Sequence, residues 1–171
     1  RGVAGQTMKL VRASDVAPCS GRIRSTPEDF IVNELPSFEA SGEGEHLLLT
    51  MQKRGLNTAF CAQEIARWAG IDERDVSYAG MKDRHAVTTQ RFSVRIPKKV
   101  SPDVNLLNNE NCTVMHAVWH NRKLVRGALA GNRFELTLRD VAAEQDTLEQ
   151  NLQRIKSGGV PNYFGEQRFG F

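Results

Sequence analysis

HLLLTMQKRGLNTAFCAQEIARWAG (46–70) carries a change of period that decides the fold class. Its opening, His46 to Lys53, is an apolar run short enough to be a buried strand. Asn57 or Thr58 can then cap a helix, because a short polar side chain accepts a backbone N–H left free in the first turn. Phe60, Ala62, Ile65, Ala66 and Trp68–Ala69 give that helix an apolar face, and Gly70 is placed to end it. Upstream, Asp29 to Leu35 (DFIVNEL) is rich in strand formers, Pro27 marks its entry, and Ser41 to Glu45 makes a glycine-punctuated turn. Downstream, Ser77 to Gly80 is a short strand-like approach to a turn, and Arg91–Ile96, Thr113–Trp119 and Phe134–Arg139 read as further strands. A last helix is expected from about Thr147 to Ser157. Asp146 and Glu149 would cap it, Leu148, Leu152 and Ile155 would share one face, and Gly158–Gly159 would close it. Strands that arrive without a helix after each one favour an α+β fold: a mixed, mostly antiparallel sheet with helices packed on one side. No repeat, low-complexity tract or linker interrupts it, so the expectation is one α+β unit.

Composition narrows the class. A chain of 171 residues suits one ordinary domain or part of a larger one, and an apolar share of 40% supplies a core. No apolar run is long enough to span a bilayer, and the N-terminus, RGVAGQTMKL, lacks the apolar stretch of a secretory signal. It opens on Arg rather than Met, which suggests that the natural start is lost or replaced. Three widely spaced cysteines, Cys19, Cys61 and Cys112, suit reduced thiols and a cytoplasmic location. The net charge of +3 is small but unevenly spread. Ten acidic residues face four basic ones from Glu28 to Asp75, whereas nine basic face three acidic from Arg91 to Arg139. A basic half can meet a polyanion, although a solvated face would look the same.

The densest polar cluster lies in Val76 to Gln90, VSYAGMKDRHAVTTQ, where a small-residue turn (Ala79–Gly80) precedes Lys82, Asp83, Arg84 and His85. It reads either as an exposed charged turn or as a carboxylate held among cations, fit to act as nucleophile or base. In an extended chain successive side chains alternate faces, so Lys82 and Arg84 would point away from the side that Asp83 occupies. A cation paired with Asp83 should then come from elsewhere. His85 could orient the Asp83 loop. Cys112, His116 and His120 recur every four residues, but their β-branched and aromatic neighbours favour a strand. There they would stand about 13 Å apart in succession, too far to share a metal.

The run Gly80-Met81-Lys82-Asp83-Arg84-His85-Ala86-Val87-Thr88 resembles the signature of the TruD family of pseudouridine synthases. Three further blocks resemble that family in order. They are Thr26-Pro27-Glu28-Asp29-Phe30 with Val32 and Glu34; Arg126-Gly127, Leu129 and Gly131-Asn132 with Phe134; and Asn162-Tyr163-Phe164-Gly165 with Gln167-Arg168-Phe169-Gly170. The resemblance implies a tRNA pseudouridine synthase acting at position 13 of the D-arm, with Asp83 as catalytic residue. It implies that Phe164 stacks on the flipped uracil and that Asn162 and Phe30 contact the substrate; a base on an aromatic platform is worth about 1–3 kcal/mol. Phe30 reads evenly as a core aromatic or a site residue; Phe164 could be a core aromatic and Asn162 a turn residue, but for these two the flanking match favours the site. Arg24 falls on a basic position of the family, usually Lys, and is the candidate cation for Asp83. Lys82, Arg84, Arg122, Lys123, Arg126 and Arg133 are candidate phosphate contacts.

Isomerising a uridine needs no redox step, group donor or metal, so no cofactor is expected. The expected partner is tRNA, with no membrane and a monomer when complete. The resemblance covers nearly all of this chain but about half of the family's usual length. Residues 1–171 would then be part of one pseudouridine synthase catalytic domain, whose second half and inserted family domain lie outside this chain. A catalytically incomplete RNA-binding fragment, or a carboxylate-dependent hydrolase of glycosides or nucleosides, are the alternatives.

Overall fold

The computed structural model describes residues 19–96 and 98–161. Its elements are β1 (Ser20–Ile23), β2 (Phe30–Pro36), β3 (His46–Arg54), α1 (Thr58–Ala69), β4 (Val76–Tyr78), β5 (Val87–Arg95), β6 (Cys112–His120), β7 (Leu129–Leu136), β8 (Leu138–Ala142) and α2 (Gln145–Gly158). The chain divides into two compact units. One is Ile23–Arg139; the other comprises, among the described residues, those up to Arg22 and those from Asp140 onward.

The larger unit is a six-stranded sheet in the order β6-β3-β5-β2-β7, with β4 also paired to β5. β2 and β5 run parallel, and β3 pairs antiparallel with both β5 and β6, as β7 does with β2. This is the mixed, mostly antiparallel sheet that the sequence favours. The inward row of β3, Leu47, Leu49 and Met51, meets Phe92 and Val94 of β5 and Cys61, Ala62, Ile65 and Ala66 of α1 in one core. Each large apolar side chain buried there contributes about 1.5–3 kcal/mol.

α1 begins where Asn57 Oδ1 accepts the Ala59 N–H at 2.8 Å. It ends where Gly70 takes a left-handed φ of +64°, a conformation that glycine adopts without a Cβ clash. Its buried face is Thr58, Cys61, Ala62, Ile65 and Ala66, a three-four spacing that turns Phe60 outward to 45% exposure. Cys61, not Phe60, therefore completes the inner stripe.

A bulge in β6 shifts its register against β3, so that Thr50 faces His116 and Met51 faces Val114. The extra residue lets Val114 and Trp119 both pack on the core although they are an odd number apart.

In the smaller unit α2 starts at Gln145, ahead of the expected Asp146 cap, and Glu144 at its N-cap makes no side-chain cap bond. Asp146 instead lies in the first turn, where a carboxylate suits the positive end of the helix dipole. β1 and β8 pair as a separate two-stranded ribbon, and Arg22 and Asp140 form an ion pair.

Candidate active site

One edge of β5 is shared by two strands, and the candidate site is built around the place where they part. β2 pairs with Val87–Thr89, and β4 with Phe92–Val94. Between them the Arg91 N–H has no strand partner there and donates to Glu34 Oε1 at 3.1 Å. The segment joining β4 to β5, Ala79 to Ala86, folds over this gap. Its ends are fixed by the Gly127 N–H on Ala79 O (2.8 Å) and the Gly55 N–H on Ala86 O (3.1 Å).

Buried polar groups hold the middle of the segment, as groups away from water must be paired. Lys82 N–H donates to Thr58 Oγ1 at 3.0 Å, Thr58 Oγ1 donates to Gln90 Oε1 at 3.1 Å, and Gln90 Nε2 donates to Gly80 O at 3.1 Å. Lys53 is 1% exposed and extends its ammonium to Leu56 O at 2.7 Å and to the Asp83 carbonyl at 3.4 Å. Burial pushes the Lys53 ammonium below the usual lysine range.

Asp83 points outward from this base. Its Oδ1 accepts the His85 backbone N–H at 2.9 Å, a turn in which an Asp side chain bonds the backbone two residues on. Its Oδ2 lies 3.1 Å from Arg24 Nη1, with the two side chains 31% and 42% exposed respectively. Arg24 itself has a φ of +55°, unusual for a residue with a side chain, and its guanidinium lies 4.3 Å from the centroid of the Phe30 ring. The Phe134 ring stacks on Phe30 at 6.0 Å. A carboxylate fixed at both oxygens yet open to solvent can approach an electron-poor carbon or a proton of a bound molecule.

Phe30 owes its place to the turn before it. Pro27 to Asp29 form one turn of tight helix, and Asp29, 1% exposed, folds back so that Oδ2 accepts the Thr26 N–H at 3.1 Å. Arg139 grips the same carboxylate through Nε at 2.9 Å and Nη2 at 2.7 Å. These bonds, led by Arg139, hold the Asp29 carboxyl down to about 2.

Sequence-selected residues divide accordingly. Asp83, Arg24 and Phe30 come together. Lys82 does not fit a phosphate contact: its ammonium is 2.7 Å from Glu34 Oε2, and both side chains are 4% exposed, so nothing in solution can reach it. Arg84, Arg122, Lys123, Arg126 and Arg133 are exposed. Lys123 and Arg126 line a groove of about 500 Å³ with Arg74 and Tyr78, where the Arg126 guanidinium lies 4.3 Å from the Tyr78 ring centroid. Asn162 and Phe164 lie outside the described residues. For His85 the backbone N–H, not the ring, contacts Asp83. His116 is exposed while Cys112 packs in the core, so the strand and its bulge separate those candidate ligands.

Lys53, Thr58, Gln90 and Phe134 were not singled out as site residues. Lys53 carried a readable signal: it continues the inward parity of Leu47, Leu49 and Met51, and a lysine there needs a buried partner. Phe134 carried none, because only the pairing of β2 with β7 sets it beside Phe30.

The fold is that of the pseudouridine synthases. A Methanosarcina mazei structure, solved as a candidate tRNA pseudouridine synthase D, is similar to this chain with a TM-score of 0.78 and 28% identity, over 94% of this chain and 38% of that one. The family model described as tRNA pseudouridine synthase D (TruD) matches residues 8–171, and the chain belongs to that family. It is 61% identical to the tRNA pseudouridine synthase D of Xanthomonas axonopodis pv. citri over 96% of this chain. Against that of Methylococcus capsulatus it is 53% identical over 94% of this chain. The chain spans 45% and 46% of the lengths of these two relatives.

Proposed function

We propose that the protein carrying this chain is a tRNA pseudouridine synthase that isomerises a uridine, at position 13 of the D-arm, with Asp83 as the reacting carboxylate. The observation that carries this reading is the Asp83 carboxylate itself. It stands on a buried base, partly open to solvent, and pairs with the Arg24 guanidinium, which itself lies over the aromatic face of Phe30. The N1–C1′ bond of the uridine breaks, the ring turns, and C5 bonds to C1′; the C5 hydrogen leaves to solvent and N1 gains a proton. Atoms balance without a cofactor. The base must first leave its stack, since the sugar carbon is otherwise shielded. Asp83 then attacks C1′ or removes a sugar proton, while Phe30, Asn162 and Phe164 contact the base.

Residues 1–171 serve as part of the catalytic domain, in a cytoplasmic protein that acts as a monomer. The groove lined by Arg74, Lys123 and Arg126 takes RNA phosphates, which position a nucleic acid without reading its sequence. The test is release of tritium from C5-labelled uridine in tRNA by the full-length protein. Asp83→Asn is expected to abolish release while tRNA binding survives. Normal turnover in that variant, or release of free uracil by the parent, would overturn the reading.

A further inference from the structure

Lys82 immediately precedes Asp83, and its ammonium is directed into the protein instead of toward solvent. It meets Glu34 Oε2 at 2.7 Å, with both side chains 4% exposed. Glu34 uses its other oxygen to accept the Arg91 N–H at 3.1 Å, at the point where β2 and β4 part along β5. The carboxylate therefore ties the Asp83 segment to the sheet where β2 and β4 part.

Removing two charges from water is costly, and a well-packed apolar pair often serves stability as well or better. What an ion pair supplies beyond stability is direction, because the ammonium has one place where it is satisfied. Lys82 and Asp83 lie in the irregular segment between β4 and β5, and their burial differs: the Lys82 side chain is 4% exposed and that of Asp83 31%. Fixing Lys82 inward restricts the directions open to the Asp83 side chain beside it. The Lys82 N–H on Thr58 Oγ1 at 3.0 Å and the Lys53 ammonium on the Asp83 carbonyl at 3.4 Å hold the intervening backbone against rotation.

We propose that Lys82 and Glu34 are positioning residues for the reaction, their buried ion pair setting the direction in which the Asp83 carboxylate meets the substrate. The inference rests on the role proposed for Asp83. Neither side chain touches the substrate, so their loss acts on kcat and leaves KM for tRNA in place.

The test compares Glu34→Gln, Lys82→Met and the double variant in the full-length protein, by tritium release and by the urea midpoint. Each single change leaves one charge buried without its partner, whereas the double change removes both. The expected result is a double variant whose urea midpoint returns to that of the parent while kcat stays about 100-fold lower, the scale of a misplacement near 1 Å. Recovery of kcat together with stability would overturn the proposal, because the pair would then serve the fold alone. Should the Lys82 variants fail to fold, Glu34→Gln keeps shape and acceptor, and unchanged kcat per folded molecule in it would also overturn the proposal. Asp83→Asn separates the two readings. If it turns over normally, the function is wrong; if it is inactive while the double variant keeps full kcat, only the positioning role is wrong.

Discussion

Two ion pairs flank the peptide bond between Lys82 and Asp83, and they sit in different media. The inner one, Lys82–Glu34, closes at 2.7 Å with both side chains 4% exposed; the outer, Arg24–Asp83, closes at 3.1 Å with 42% and 31% exposed. For unit charges 4 Å apart, attraction grows from about 1 kcal/mol in water to about 4 kcal/mol at the effective dielectric near a protein surface. The inner pair cannot be exchanged for water or substrate without unfolding the segment. The outer pair can be surrendered, since each member already shares its charge with solvent. Adjacent residues thus stand in different media: one is sealed in the fold, and the other shares its carboxylate with solvent.

The largest effect expected from breaking this contrast is Lys82→Met, which strands the Glu34 carboxylate and should cost about 3–5 kcal/mol in urea unfolding, the scale for a buried pair that loses one member. Arg24→Ala should cost under about 1 kcal/mol by the same measurement, yet lower tritium release at least tenfold. Equal losses of stability in the two variants would erase the distinction between inner and outer pairs.

Asp29 sharpens it from another side. The Arg139 guanidinium holds the Asp29 carboxyl down to about 2 in the fold, well below the usual Asp range. A folded pKa below the unfolded one gives stability that is present above about pH 4 and lost as pH falls through 2. The stability difference between the parent and Asp29→Asn should therefore shrink across that window in acid titrations of urea midpoints. The smallest effect is expected for Arg54→Ala. Arg54 and Glu28 pair on the surface with side chains about half exposed, and no shift in the urea midpoint should be resolved.

Much of the fold was legible because local signals were strong. Asn57 capped and Gly70 closed the first helix as their chemistry required, and the short apolar run before them became a central strand. β5 begins at Val87, four residues before the expected Arg91, because Val87 to Thr89 are held by β2, a partner far away in sequence. Phe60 lay one position off the buried stripe of α1, a distinction that only the neighbouring sheet can make. At the site, the expectation that the cation paired with Asp83 comes from elsewhere in the chain holds, with Arg24 in that place, although Lys82 and Asp83 lie in an irregular segment and not in a strand. The outcome, an ammonium sealed against Glu34, depended on a gap in strand pairing with no local signature.

By itself, then, the sequence determined most of the elements (though not β1 or β8, nor the break that divides the expected strand Phe134–Arg139 between β7 and β8), the family and the residue pattern around Asp83. These rest on short-range chemistry and on motifs that travel intact along the chain. Only the tertiary structure decided which charges meet. Parallel pairing of β2 with β5 brings Glu34 beneath Lys82, and the antiparallel pairing of β7 sets Phe134 beside Phe30. The physical reason is that a charge's worth depends on the medium around it, and burial is a property of the packed chain, not of any segment alone.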